Sequence, residues 1–294
     1  MTDDGANPAV QGRRLRTELR KARVAAGKTQ EQVAAALDWS KSKVIRIENG
    51  SVGVSTTDLR AMLGQYEILE EGRVEELVAL AQGSGARAWS RAPEWWSQYR
   101  RVVSKGLIQL IANESGASLT INFQPLLVPG LLQTEEYART SIRMLDPSLT
   151  NEAVDARVEI RMRRKELLDR PNLPRLHFLL GEAVIRTAVG GNTIMGQQIH
   201  SLIEAARRRN VTVRVVPFSV GIRFGMLTPF VVFEFPDKVD QDVLYLESPR
   251  GDLIIRDKAS EIQQYRHAFD QLRKISLGAA DSMAFLEKVA DEMA

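Results

Sequence analysis

The stretch TQEQVAAALDWSKSKVIRIENGS, residues 29–51, decides how the first part of this chain folds. Thr29 is an N-cap type, and Val33, Ala34 and Leu37 then recur at helical spacing. Asp38 and Trp39 break that pattern. Ser40 can cap a second helix whose apolar positions are Val44 and Ile47. Asn49-Gly50 ends it with two residue types that tolerate a left-handed backbone. Off the apolar stripe lie Lys41, Ser42, Lys43 and Arg46. A short helix with a cationic, hydroxyl-bearing outer face suits the major groove of double-stranded DNA.

Upstream, residues 1–12 are polar and read as a disordered tail. A helix is expected from Arg13, with Leu15, Leu19, Ala22 and Ala26 on one face and Gly27 at its end. Residues 13–50 hold ten Lys/Arg against four Asp/Glu, a balance of +6, whereas the whole chain carries only +3. Charge this local attracts phosphate and releases counterions; its structural alternative is a solvated basic face. Downstream, Ser55 or Thr56 caps a fourth helix with Leu59, Met62, Leu63 and Tyr66. A fifth runs from about Glu70 to Ala81. Residues 51–82 reverse the sign, with two basic and six acidic side chains.

These residues resemble the helix-turn-helix of Xre/lambda-repressor-like regulators, over residues 13–66. The resemblance implies an all-α five-helix lambda-repressor-like domain. It implies a phosphate contact at Gln30 and a structural pair between Arg23 and Glu48 that also aims the recognition helix. It places base contacts at Lys41, Ser42 and Arg46, and Ile45 joins them as a candidate because it lies off the Val44/Ile47 stripe. Phosphate contacts fall to Arg13, Arg20, Thr29, Gln30, Lys43 and Asn49. The turn holds Asp38 where glycine is common, and aspartate still tolerates positive φ. Ile45 stands where a small polar residue is common. It has two readings: contact with a thymine methyl, or packing at the rim of the second helix.

Residues 83–94 read as a Gly/Ser linker. From Pro93-Glu94 a helix is expected with Trp95, Trp96, Tyr99, Val103, Leu107 and Leu110 on one stripe; it reads as core, or else as a ligand box or dimer face. LTINFQ alternates like a strand, PLLVPG is an apolar turn, and a helix capped by Thr134 follows. Residues 151–170 form a charged helix, in which Arg161, Arg163, Arg164 and Lys165 read as a solvated face or a second DNA contact. RLHFLLGEAVIRTAV reads as a strand followed by a turn or second strand. A helix and a strand then follow, a βαβ-like order. Two paired strands, a long helix over 259–277 and a tail or short helix over 278–294 complete the chain. FQPLLVPGLLQTEEYAR resembles the hallmark segment of a C-terminal domain attached to Xre-type modules in actinobacterial regulators. Many of those are encoded beside a small partner protein. The segment transfers no mechanism.

The fold class is therefore multi-domain. A helix-turn-helix domain spans 13–82, and an α+β regulatory or interaction domain with a mixed or antiparallel sheet spans 95–277. There is no cysteine, which removes disulfides and thiolate metal sites. The N-terminus is acidic and not of the signal-peptide kind, and no apolar run approaches a membrane span. The reading is cytoplasmic and nucleoid-associated when bound to DNA. No phosphate loop, dinucleotide fingerprint or nucleophile elbow occurs. His177, His200 and His267 show no metal-ligand spacing, and Glu182 at a strand end reads as a capping or salt-bridge group. No catalytic residue, metal or cofactor is assigned. The partners are double-stranded DNA, a second copy in a homodimer, and a small protein encoded nearby. The rival reading is an antitoxin-like or sequestered protein that uses DNA binding for autoregulation.

Overall fold

The computed structural model describes residues 8–48, 52–84, 99, 105–169, 174–235, 242–247, 253–256 and 258–293. The chain divides into two compact units, the second comprising Tyr99–Phe235 and Asp242–Ala294. Among the described residues no helix is long and apolar enough to cross a membrane.

The first unit is all-helical: α1 (Pro8–Ala25), α2 (Gln30–Ala36), α3 (Lys41–Glu48), α4 (Thr56–Gln65) and α5 (Glu71–Ser84). α1 starts at Pro8, earlier than the Arg13 that the periodicity marks. Proline in a first helical turn sacrifices no hydrogen bond, so residues 8–12, expected in a disordered tail, extend the helix. α5 runs past Ala81 to Ser84, into the expected linker. A side chain on Gly83 would collide with Gln11 of α1, so this glycine marks a close approach of the two helices.

Three helices end in the same way. Gly27, Asp38 and Glu67 each take positive φ, at 66°, 52° and 60°. After each, the next residue donates its N–H to the carbonyl five residues back: Lys28 to Arg23, Trp39 to Ala34 and Ile68 to Leu63. This Schellman pattern satisfies carbonyls that a helix end leaves open. It also produces the sharp turn between α2 and α3. Leu19, Val33, Val44, Leu59, Met62 and Leu77 pack with no or almost no exposure at the centre.

The second unit is α+β. Its elements are α6 (Lys105–Gly116), β1 (Leu119–Gln124), α7 (Glu135–Leu145), α8 (Asn151–Arg164), β2 (Arg175–Gly181), α9 (Glu182–Arg186), α10 (Asn192–Ala206), β3 (Val211–Val216), β4 (Phe230–Glu234), β5 (Val243–Glu247), β6 (Leu253–Arg256), α11 (Ala259–Ile275) and α12 (Ala279–Met293). Six strands form one sheet in the order β3-β2-β1-β4-β5-β6. β1, β2 and β3 are parallel, and β1-β4, β4-β5 and β5-β6 are antiparallel, so the sheet is mixed.

Strand alternation assigns the faces. Ile121, Phe123, Leu179, Phe230, Val232 and Leu244 point to α11 and its Ile262, Phe269 and Leu272. On the opposite face, Phe178, Leu180, Val213 and Val215 meet Ile199 and Leu202 of α10 and Leu286 and Val289 of α12. Val231, Phe233 and Tyr245 meet Leu110 of α6 on that face. Segment 279–293 is thus part of the core and no loose tail. Edge strand β3 is covered: Leu277 N donates to Val215 O at 2.8 Å, and Val215 N donates to Ser282 Oγ at 3.0 Å.

Other differences from expectation are local. Segment 182–186 is a short helix rather than a second strand. β6 arises from LIIR, which is too short to stand out beside Gly251 and Asp257. Of the aromatic helix expected from Pro93, only Tyr99 and 105–116 lie within the described residues, and there Tyr99 and Leu110 are buried.

Candidate nucleic-acid interface

α2 and α3 form the helix-turn-helix. Thr29 closes a capping box: its Oγ1 accepts from Gln32 N at 3.2 Å, and Gln32 Oε1 accepts from Thr29 N at 2.8 Å. Ser40 Oγ accepts from Lys43 N at 3.2 Å and starts α3. Val44 and Ile47 point inward, while Lys41, Ser42 and Arg46 are exposed. Ile45 is partly exposed and belongs to neither the core cluster nor the residues packed on it. Lys41, Ile45 and Ser42, Arg46 are spaced by one helical turn, so the four side chains share one outward face. Arg46 and Ser42 form no side-chain hydrogen bond or ion pair with a described residue.

The remaining cations of the site are held. Lys41 Nζ lies 3.1 Å from Glu31 Oε2, and both groups are exposed. Lys43 Nζ lies 3.2 Å from Asp58 Oδ1 and 3.5 Å from the centre of the Trp39 ring. Carboxylate and ring face together hold this ammonium at the α3–α4 corner.

Behind the exposed face stands Glu48, 1% exposed. Its Oε1 accepts from Arg23 Nε at 2.8 Å and from Tyr66 Oη at 2.9 Å. Its Oε2 accepts from Gln30 Nε2 at 2.8 Å. Arg23 Nη1 also donates to Lys28 O at 2.9 Å. Burial, then the Glu48 charge, pushes the Tyr66 phenol far above its ordinary range, so it stays a donor. The expected Arg23–Glu48 pair is present. The sequence reading missed that Gln30 and Tyr66 share the same carboxylate. A buried acid with several oxygen lone pairs to satisfy is the signal that called for further donors.

α1 is less free than its composition implies. Arg73 of α5 pairs with Glu18 and Glu76, and Arg14 lies 3.6 Å from Glu76. Glu76 thus meets a cation of α1, while Arg73 takes up Glu18 of the same helix. Arg20 lies in α1 and is partly buried. Arg13 lies in the same helix with its side chain outside the described residues, as is Asn49.

In the second unit the charged helix α8 is not the solvated face its composition implies. Arg164 is buried and gives Glu114 of α6 two bonds, at 2.8 and 2.9 Å. Burial alone would lower the Arg164 pKa; the paired carboxylate more than offsets this and raises it. Arg161 donates to Gln133 and Ser141 and is pulled down to about 10 by burial and by Arg164. Arg163 alone keeps the ordinary pattern, 3.0 Å from Glu159. Gly130 belongs to the PLLVPG segment, and a Cβ there would stand 3.2 Å from Arg164 Nη1. That segment therefore lies over the buried pair.

Glu182 accepts from Phe218 N at 2.8 Å and pairs with Arg186 at 2.7 Å. Burial works to raise its pKa, yet these two partners hold it below the usual carboxylate range. That is a satisfied structural acid. Among the described residues no group of three or more His, Asp or Glu could hold a metal ion.

Residues 14–77 match the helix-turn-helix domain family, and residues 107–288 match the family described as domain of unknown function DUF5753. No curated protein and no solved structure matches the chain. The first match makes residues 14–77 a helix-turn-helix domain, a DNA-binding class associated with transcription regulation. The second covers more than half of the 294 residues, and with it the chain belongs to the DUF5753 family, joined here to an N-terminal helix-turn-helix.

Proposed function

We propose that this protein is a sequence-specific transcriptional regulator that lays α3 in the DNA major groove. The observation that carries this reading is the division of α3 itself. Val44, Ile47 and Glu48 fix the helix from behind, while Lys41, Ser42, Ile45 and Arg46 face outward. Arg46 reads guanine, a bidentate contact worth about 1–3 kcal/mol of discrimination. Ser42 and Lys41 reach neighbouring base edges, and Ile45 meets a thymine methyl. Thr29, Gln30, Lys43, Arg13, Arg20 and Asn49 hold phosphates and set register. Two copies bind half-sites about one helical turn apart. The second domain supplies dimerisation, effector binding or contact with a small partner protein.

Selection of bound sequences from a random DNA pool tests this for the native chain and for Arg46→Ala. The variant is expected to lose preference at one base position and keep the others. Equal weakening on all sequences makes Arg46 a phosphate contact and overturns its assignment. Replacing thymine by uracil in the selected site tests Ile45, and unchanged affinity removes the methyl contact. A monomer that protects one half-site overturns the dimer.

A further inference from the structure

The PLLVPG segment continues into Leu131 and Leu132, which line a cavity of about 380 Å³ in the second unit. Leu168 and Ala205 complete an apolar floor, and Lys165 and Arg208 stand in the same lining. That volume is near the lower end of small-molecule sites.

The two cations differ in how they are held. Arg208 donates from Nη1 to Leu168 O at 3.1 Å and to Asp169 Oδ1 at 2.6 Å, so its guanidinium is fixed. Lys165, at the end of α8, is partly buried, and its ammonium forms no hydrogen bond or ion pair with a described residue. Burial and the neighbouring Arg208 charge both lower its pKa. A solvated lysine at a helix end feels neither effect. Two like charges brought together beside apolar surface, one of them without a counter-ion among the described residues, fit an anionic ligand. The remaining lining does not supply it, because Glu204 is paired with Arg207 at 2.5 Å.

The wall is preformed. Gln198 of α10, fully buried, donates to Leu132 O at 2.8 Å and accepts from Thr134 N at 2.7 Å. Both ends of its amide therefore pin the segment to α10 at Leu132 and Thr134, and a ligand enters without ordering it.

We propose that this cavity binds a small amphipathic organic anion. Its carboxylate or phosphate head lies between Lys165 and Arg208, and its short apolar body covers Leu131, Leu132, Leu168 and Ala205. Binding is a property of this domain alone and does not depend on the DNA-reading assignments.

Calorimetric titration of the full chain with octanoate, octyl phosphate, octanol, acetate and inorganic phosphate tests it. One octanoate or octyl phosphate per chain is expected to bind, at least ten-fold more tightly than octanol, acetate or phosphate. Whichever of the two binds more tightly identifies the head group. Lys165→Gln should weaken that anion at least ten-fold and Lys165→Arg should retain it. Ser201→Trp, which fills the cavity while leaving both cations in place, should abolish binding. Octanol binding as tightly as the anions overturns the proposal. So does undiminished binding by a folded Lys165→Gln or Ser201→Trp protein, or the failure of both anions to bind.

Discussion

Gln30 and Glu48, the first residue of α2 and the last of α3, are joined by a 2.8 Å hydrogen bond from Nε2 to Oε2. The residue proposed to hold a DNA phosphate and the buried residue that ends α3 are thus one mechanical unit. Glu48→Gln leaves Arg23 without its charge partner and turns an amide N–H₂ toward other donors. A loss of about 3 kcal/mol is expected, the low end for a broken buried pair because Arg23 keeps some exposure. Tyr66→Phe removes one donor to the same carboxylate and should cost about 1.5–2 kcal/mol. Urea denaturation followed by far-ultraviolet circular dichroism measures both. Wild-type stability in Glu48→Gln would remove Glu48 from its central place.

Glu67 and Asp38 occupy left-handed positions without being glycine. Glu67→Gly should therefore stabilise the first unit by about 0.5–1 kcal/mol, and Asp38→Gly by less, because aspartate is at ease there. Gly27→Ala should destabilise by about 1 kcal/mol. The ranking of the three midpoints in denaturant is the check, and a Glu67→Gly protein weaker than the native one contradicts it.

Arg164 and Glu114 form the buried pair of the second unit. Glu114→Gln alone should cost about 3–5 kcal/mol, since it strands a guanidinium inside. Adding Arg164→Met to Glu114→Leu should recover most of that loss. A double variant no better than the single one shows that the pair itself stabilises the domain.

His177 on β2 has a pKa below the ordinary value, lowered by burial and then by Arg175 and Arg273. A histidine depressed on folding binds its proton more readily when the chain is unfolded. Its contribution is complete above the unfolded value of about 6.5 and is lost as pH falls from there through the lower folded value. His177→Asn should flatten the decline of melting temperature between about pH 7 and 5. An unchanged slope would exclude His177 as its source.

The helix-turn-helix was legible because its signals are local. Thr29 and Ser40 announce caps, Asp38 announces a turn, and Val44 and Ile47 announce a buried side. The Arg23–Glu48 pair followed from a resemblance, whereas Gln30 and Tyr66 reach Glu48 from 18 residues away in either direction, beyond any periodicity. Arg161 and Arg164 misled because they alternate with acids along the chain. Their partners Gln133 and Glu114 lie in other elements. Segment 279–293 was hard to read because its value depends on α10, a helix far away in sequence.

That last dependence orders the birth of the molecule. α12 leaves the ribosome after every strand of the sheet, yet Leu286, Val289 and Ala290 close the face built by α10, β2 and β3. Domains fold largely as they are synthesised, N-terminal first. A nascent chain therefore holds a finished helix-turn-helix while its larger domain still has an open flank. Until residue 290 has left the ribosome, that flank must be kept from its neighbours on the same message.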